Sequence, residues 1–133
     1  MTLAIIGGGH MDVRPYRIEP AKARQTIDAG QAIVLDLTSP LIGGAVKGRI
    51  PGAVALSPRE LLGGNRRGAD VVGMLPELPR DKTIIAYCTC PDDEASARLI
   101  RVLRREGYEA WTLDGGLPAW RAAGYPMEPN LAA

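Results

Sequence analysis

The feature that most constrains this chain is its alternation of short apolar runs with helix signals. Ala32–Leu37 (AIVLDL) is a continuous run rich in branched side chains, bounded by Gly30 and by Thr38-Ser39-Pro40. Such a run suits a strand buried on both faces. Ala53–Leu56 is a second, shorter run, Lys82–Cys88 (KTIIAYC) a third, and Glu109–Leu113 a fourth. Between them the period changes. Tyr16–Gly30 has a short extended start, then a helix opened by Glu19-Pro20, with Ala23 and Ile27 four apart, and closed by Gly30. Ser57, Pro58 and Glu60 form the pattern of a capping box at the start of a short helix. Residues 63–81 read as a Gly/Pro-rich connection with one short turn. From Ala95 onward, Ala97, Leu99, Ile100, Val102 and Leu103 make an apolar stripe, ringed by Arg98, Arg101, Arg104 and Arg105 and stopped by Gly107. A last short helix follows the fourth run and ends at Gly124 and Pro126. Strand and helix in alternation predict a parallel sheet with helices on both faces.

Composition narrows the class. The chain has 133 residues, enough for one ordinary domain and too few for two. Its formal charge of +1 argues against a nucleic-acid or membrane-surface protein. No apolar stretch approaches the ~20 residues of a membrane span. The opening MTLAIIGGGHM has neither a cationic region nor a long apolar region, so it does not read as a signal peptide. Residues 1–11 read as a tag or linker arm, and 12–133 as the domain. The glycines at 7–9 have no strand before them and no helix after, so they are not a phosphate loop. The two cysteines do not make a secreted disulfide framework, and a reducing, cytoplasmic compartment is the expectation.

Those cysteines, Cys88 and Cys90, close the third run and precede a helix start. In parallel α/β sheets, ligands bind beyond the carboxyl ends of the strands, so the fold and the thiols point to one place. A thiolate is the reactive form of cysteine, and a free thiol is mostly protonated at neutral pH. The one histidine, His10, lies in the arm, so no histidine base is on offer inside the domain. Activation must then come from peptide dipoles: inward-facing amides of the loop Thr89, Cys90, Pro91, Asp92, Asp93 and Glu94, and a helix N-terminus. Such a cradle would hold a thiolate, a persulfide or an oxyanion. The three acids would raise the thiol's pKa if they faced the sulfur, and merely complement the helix dipole if they faced solvent; the second reading is preferred. Other readings stay open. Either cysteine could be a small buried filler, the two could form a disulfide, or they could supply half a metal site completed by a partner. The Arg98, Arg101 and Arg105 set reads as a solvated helix face, and Trp111 and Trp120 as core or rim packing.

The order and spacing of several motifs resemble the rhodanese-like domain family, from about Tyr16 to Pro129. IVLDLTS resembles the family's strand ending in an aspartate, and GRIPGAVALSPREL its Pro-Gly turn and following helix. KTIIAYC resembles the catalytic strand, and residues 95–129 the helix, final strand and GGxxxW ending. The resemblance implies a five-stranded parallel sheet flanked by helices. It also implies a cysteine that takes a sulfane sulfur from a small-molecule donor, thiosulfate or a persulfide, and passes it to cyanide or a thiol. No cofactor and no metal are implied.

Two registers compete within that resemblance. Counting back from Ser96, which would cap the helix, puts the carrier at Cys90; counting from the strand end puts it at Cys88. Cys88 is preferred as nucleophile, with Cys90 as alternative or resolving thiol. Asp36 would be a hydrogen-bond acceptor behind the site. The family's histidine in the Pro-Gly turn is Arg49 here, the arginine after the aspartate is Thr38, and the loop arginine is missing. The related phosphatase chemistry needs arginine six residues after the cysteine, and those positions are Glu94 and Ser96, which argues against it. YCTCP followed by acid also resembles rhodanese domains fused to DedA-type membrane proteins, which implies a soluble piece of a longer protein.

Overall fold

The computed structural model describes residues 16–38, 48–64, 66–88 and 94–128. Five parallel strands form one sheet: β1 (Arg17–Ile18), β2 (Ala32–Asp36), β3 (Val54–Ala55), β4 (Thr83–Tyr87) and β5 (Ala110–Leu113). Their spatial order is β1-β5-β4-β2-β3. The helices are α1 (Pro20–Asp28), α2 (Pro58–Leu62), α3 (Gly68–Gly73), α4 (Glu94–Arg105) and α5 (Gly116–Ala122). The single-domain α/β class read from the sequence is the observed one.

Strand side chains alternate between the faces, as the pleat requires. Leu35, Ile84, Ala86, Cys88 and Ala110 point to one face, where Leu61 of α2, Val71 of α3 and Leu99, Ile100 and Leu103 of α4 cover them. Val34, Ile85, Tyr87 and Leu113 point to the other, where Ala23 of α1 and Leu117 and Trp120 of α5 cover them. The β2 and β4 sequences are continuous apolar runs because both faces are covered. Burying one such Leu or Ile fully contributes about 1.5–3 kcal/mol, and Leu35, Ile84, Ile85, Leu99, Ile100 and Leu113 are each 0% exposed.

Local signals set the element ends. Pro20 occupies the first turn of α1, where its missing N–H costs nothing. Ser57 accepts a hydrogen bond from the Glu60 amide at 3.3 Å and starts α2. Gly107 (φ 97°) breaks α4 in a conformation side chains resist. The connection after α2, read as one short turn, contains the helix α3, whose Asp70 carboxylate accepts a hydrogen bond from the Arg67 amide at 3.3 Å. Ser96 falls inside the first turn of α4, which opens at Glu94, and not at its cap. The arm at 1–11 lies outside the described residues.

Candidate active site

The topology singles out one crevice. From β2 the chain moves to β3 on one side, and from β4 it moves to β5 on the other. The order of connection therefore reverses between β2 and β4, and the carboxyl ends there form the fold's natural ligand crevice. Asp36 pairs with Tyr87 across those two ends, and Cys88 is the next residue.

Cys88 continues the alternation of Ile84 and Ala86, so its side chain is turned towards α4. It is 2% exposed. Its Sγ lies 3.7 Å from the Oγ of Ser96, which is itself fully buried in the first turn of α4. The first turn of a helix carries amides with no partner inside the helix and the positive end of its dipole. The sulfur thus meets a hydroxyl held at that end. Burial among Leu35, Leu37 and Leu99 opposes a charge on sulfur, while the helix end favours one, as would the Ser96 hydroxyl where it donates to the sulfur. Thr89, Cys90, Pro91, Asp92 and Asp93 lie outside the described residues. Among the described residues, no group of three or more His, Cys, Asp or Glu could hold a metal ion.

Behind Cys88, on the opposite face, stands a buried polar network. The Tyr87 hydroxyl accepts a hydrogen bond from the Ile50 amide at 3.2 Å and stands near the Asp36 carboxylate. Asp36, 8% exposed, also accepts from the Thr38 amide at 2.8 Å. The Leu37 amide donates to the Tyr87 carbonyl at 2.8 Å. Desolvation first, and the Asp36 charge second, push the Tyr87 phenol well above the ordinary tyrosine range. The network fixes the Ile50-Pro51-Gly52 turn against the strand that delivers Cys88.

Arg49 is aimed away from a free anion role. Its Nε pairs with Glu128 Oε1 at 2.9 Å, and the two residues exchange backbone hydrogen bonds of 2.9 Å each. The Gly52 amide donates to the same carboxylate at 3.4 Å. Gly48 lies beneath this clamp, and a Cβ there would meet Met127 at 3.0 Å and the Glu128 carbonyl at 3.1 Å. Sequence reasoning missed Tyr87 and Glu128 as parts of the site's frame. Tyr87 carries a legible signal, a phenol at the end of a fully buried strand that must find partners. Glu128 carries none.

A family model described as Rhodanese-like domain matches residues 19–123. The chain belongs to the rhodanese-like domain family. It is 36% identical over 81 residues to the HTH-type transcriptional regulator Rv0324 of Mycobacterium tuberculosis, covering 61% of this chain and 31% of that protein. It is 47% identical over 45 residues to a tRNA sulfurtransferase of Desulfurococcus amylolyticus, covering 34% of this chain and 9% of that protein. The rhodanese-like chain thus spans less than a third of either curated relative. Among solved structures it is similar to the human single-domain sulfurtransferase TSTD1, with a TM-score of 0.58, 22% identity, and coverage of 80% of this chain and 95% of that one. No helix among the described residues is long and apolar enough to cross a membrane.

Proposed function

We propose that this rhodanese-like domain is a sulfurtransferase that works through a persulfide on Cys88. The single observation that carries the reading is the Cys88 Sγ to Ser96 Oγ approach of 3.7 Å, at the crevice between β2 and β4 and at the start of α4. The Cys88 thiolate attacks the sulfane sulfur of a donor. With thiosulfate, the donor's S–S bond breaks and sulfite leaves with its electron pair. With a persulfide donor, the donor's thiolate leaves. Ser96 and the α4 N-terminus hold the negative charge that moves to the outer sulfur. Cyanide or an acceptor thiolate then attacks that sulfur, and the Cys88 thiolate is restored. The loop 89–94 would supply amides to the crevice, and Cys90 would resolve or replace Cys88. Asp36, through Tyr87, holds the strand end in place, and Arg49 acts through its clamp with Glu128.

The missing loop arginine and the pairing of Arg49 with Glu128 support a persulfide over thiosulfate as donor, because a sulfonate-like anion gains most from a free guanidinium. The reading places the domain in a reducing, cytosol-facing compartment, as part of a longer protein such as one of DedA type. The YCTCP string at 87–91 supports the DedA attachment, and the greater length of both curated relatives suits a domain within a longer chain. Thiocyanate formation from thiosulfate and cyanide, and thiol persulfide formation from glutathione persulfide, test the activity. Turnover by the wild type that vanishes in Cys88→Ser supports it; no turnover with either donor overturns it.

One observation favours a second reading. The 2% exposure of Cys88 is that of a packing residue. In this reading the domain is a non-catalytic binding or redox-sensing module. Thiol titration separates the two: one fast thiol near neutral pH supports the enzyme, and two slow thiols support the module.

A further inference from the structure

We propose that the cleft between α4 and the α2–α3 segment is a docking site for an acidic, aliphatic-bearing segment of a partner protein. The cleft has a volume of about 250 Å³ and is walled by Arg66, Arg98, Arg101 and Arg105. All of these arginines are exposed, and among the described residues no carboxylate lines the cleft. Its floor is aliphatic, formed by Leu62, Val71 and Val102.

Two of the arginines are held over the cleft by backbone carbonyls and a thioether and not by acids. Arg98 donates to the Leu62 carbonyl at 3.1 Å. Arg66 donates to the Gly63 carbonyl at 3.5 Å and to the Met74 sulfur at 3.2 Å. Arg101 and Arg105 form no ion pair with any described residue. Arg98, Arg101 and Arg105 follow one face of α4 over about 10 Å, at ~1.5 Å per residue. Like charges at three- and four-residue spacing destabilise a helix. A chain with a net charge of only +1 concentrates them here all the same. Carboxylates from a partner would relieve that repulsion and gain charge-assisted hydrogen bonds.

The floor decides the class of partner. A nucleic acid would need a broad positive field and stacking surfaces, and neither the net charge nor the lining provides them. An acidic segment that also carries aliphatic side chains matches both wall and floor. The cleft adjoins the core layer that contains Cys88, Leu61, Val71 and Leu99. Docking there does not depend on sulfur chemistry.

The test is fluorescence anisotropy with a short labelled peptide alternating glutamate and leucine. The comparison ligands are the same peptide with serine for leucine, inorganic phosphate, and a single-stranded RNA. The expected result is binding of the glutamate–leucine peptide that weakens about tenfold or more in Arg101→Glu/Arg105→Glu and as salt rises. The charge-matched control Lys22→Glu/Lys82→Glu keeps it. The carboxylate introduced by Arg101→Glu would pair with Arg98 and Arg105 on the same face, so that single variant is expected to melt no lower than wild type while binding less. Amide shifts of the wild-type protein on peptide addition, centred on Leu62 and Val102, give a readout independent of any variant. Absence of peptide binding overturns the proposal. So does equal binding of the serine peptide, tighter binding of RNA, displacement by phosphate alone, or shifts centred elsewhere.

Discussion

The Cys88 sulfur and the Ser96 hydroxyl meet at 3.7 Å, one at the end of β4 and the other in the first turn of α4. The end of the strand and the start of the helix are therefore in direct side-chain contact. If the hydroxyl supports a thiolate, Ser96→Ala should slow Cys88 alkylation by iodoacetamide at neutral pH about tenfold or more, the worth of one hydrogen bond to a charged group. Ser96→Thr should retain most of the rate. Cys88 alkylation that is indifferent to both changes would remove Ser96 from the chemistry.

Removing the Tyr87 hydroxyl strips the hydrogen-bond partner from the buried Ile50 amide. Tyr87→Phe should cost about 1–3 kcal/mol in urea unfolding, with an unchanged slope against denaturant. Asp36→Asn keeps the shape and should cost less. A neutral Tyr87→Phe would mean the network contributes no stability.

The raised Tyr87 pKa fixes a pH dependence. Unfolded tyrosine releases its proton near pH 10, whereas the folded phenol holds it to higher pH. Above that point the unfolded state binds fewer protons, so stability falls as pH rises. The contribution is complete below about pH 10 and is lost above it, by about 1.4 kcal/mol per pH unit for this one group. Of the four tyrosines, one should stay unionised by ultraviolet absorbance until the protein unfolds. The alkaline decline specific to this group should vanish in Tyr87→Phe.

The Arg49–Glu128 clamp joins the turn after residue 48 to the end of the described chain. Both side chains are about one-third exposed, so solvent screening holds the ion pair itself to about 0.2–1 kcal/mol in a double-mutant cycle. Gly48→Ala should cost more than either charge removal, because its Cβ meets backbone as well as Met127, in a positive-φ conformation that alanine resists.

The fold was legible where burial wrote it into residue order. β2 and β4 are unbroken apolar runs because helices cover both faces, and α4 shows its stripe because one side packs and the other is wet. The Ser57 cap was legible because its partner is three residues away. α3 was not, since a helix of GADVVG, with glycine at both ends, is held by tertiary packing of Val71 against α4 and not by propensity. A candidate place for the site followed from a strand end before a helix start. Its frame did not: Ile50 reaches Tyr87, and Arg49 reaches Glu128, across long stretches of chain that no local pattern records. The preference for Cys88 over Cys90 rests on the strand end, which sets Cys88 at the sheet's carboxyl edge; Cys90 lies outside the described residues.

A donor with no need of a free guanidinium should be preferred. Loading by glutathione persulfide is expected to outpace loading by thiosulfate at equal concentration by about tenfold or more, the scale of one lost charged hydrogen bond. Faster loading by thiosulfate would show that another cation serves the crevice.

Trapping the sulfur on the protein tests the central claim most directly. After incubation with glutathione persulfide and alkylation, intact mass and peptide mapping should show one added sulfur atom on Cys88, absent in Cys88→Ser and present in Cys90→Ser. No added sulfur, or added sulfur confined to Cys90, would contradict the account.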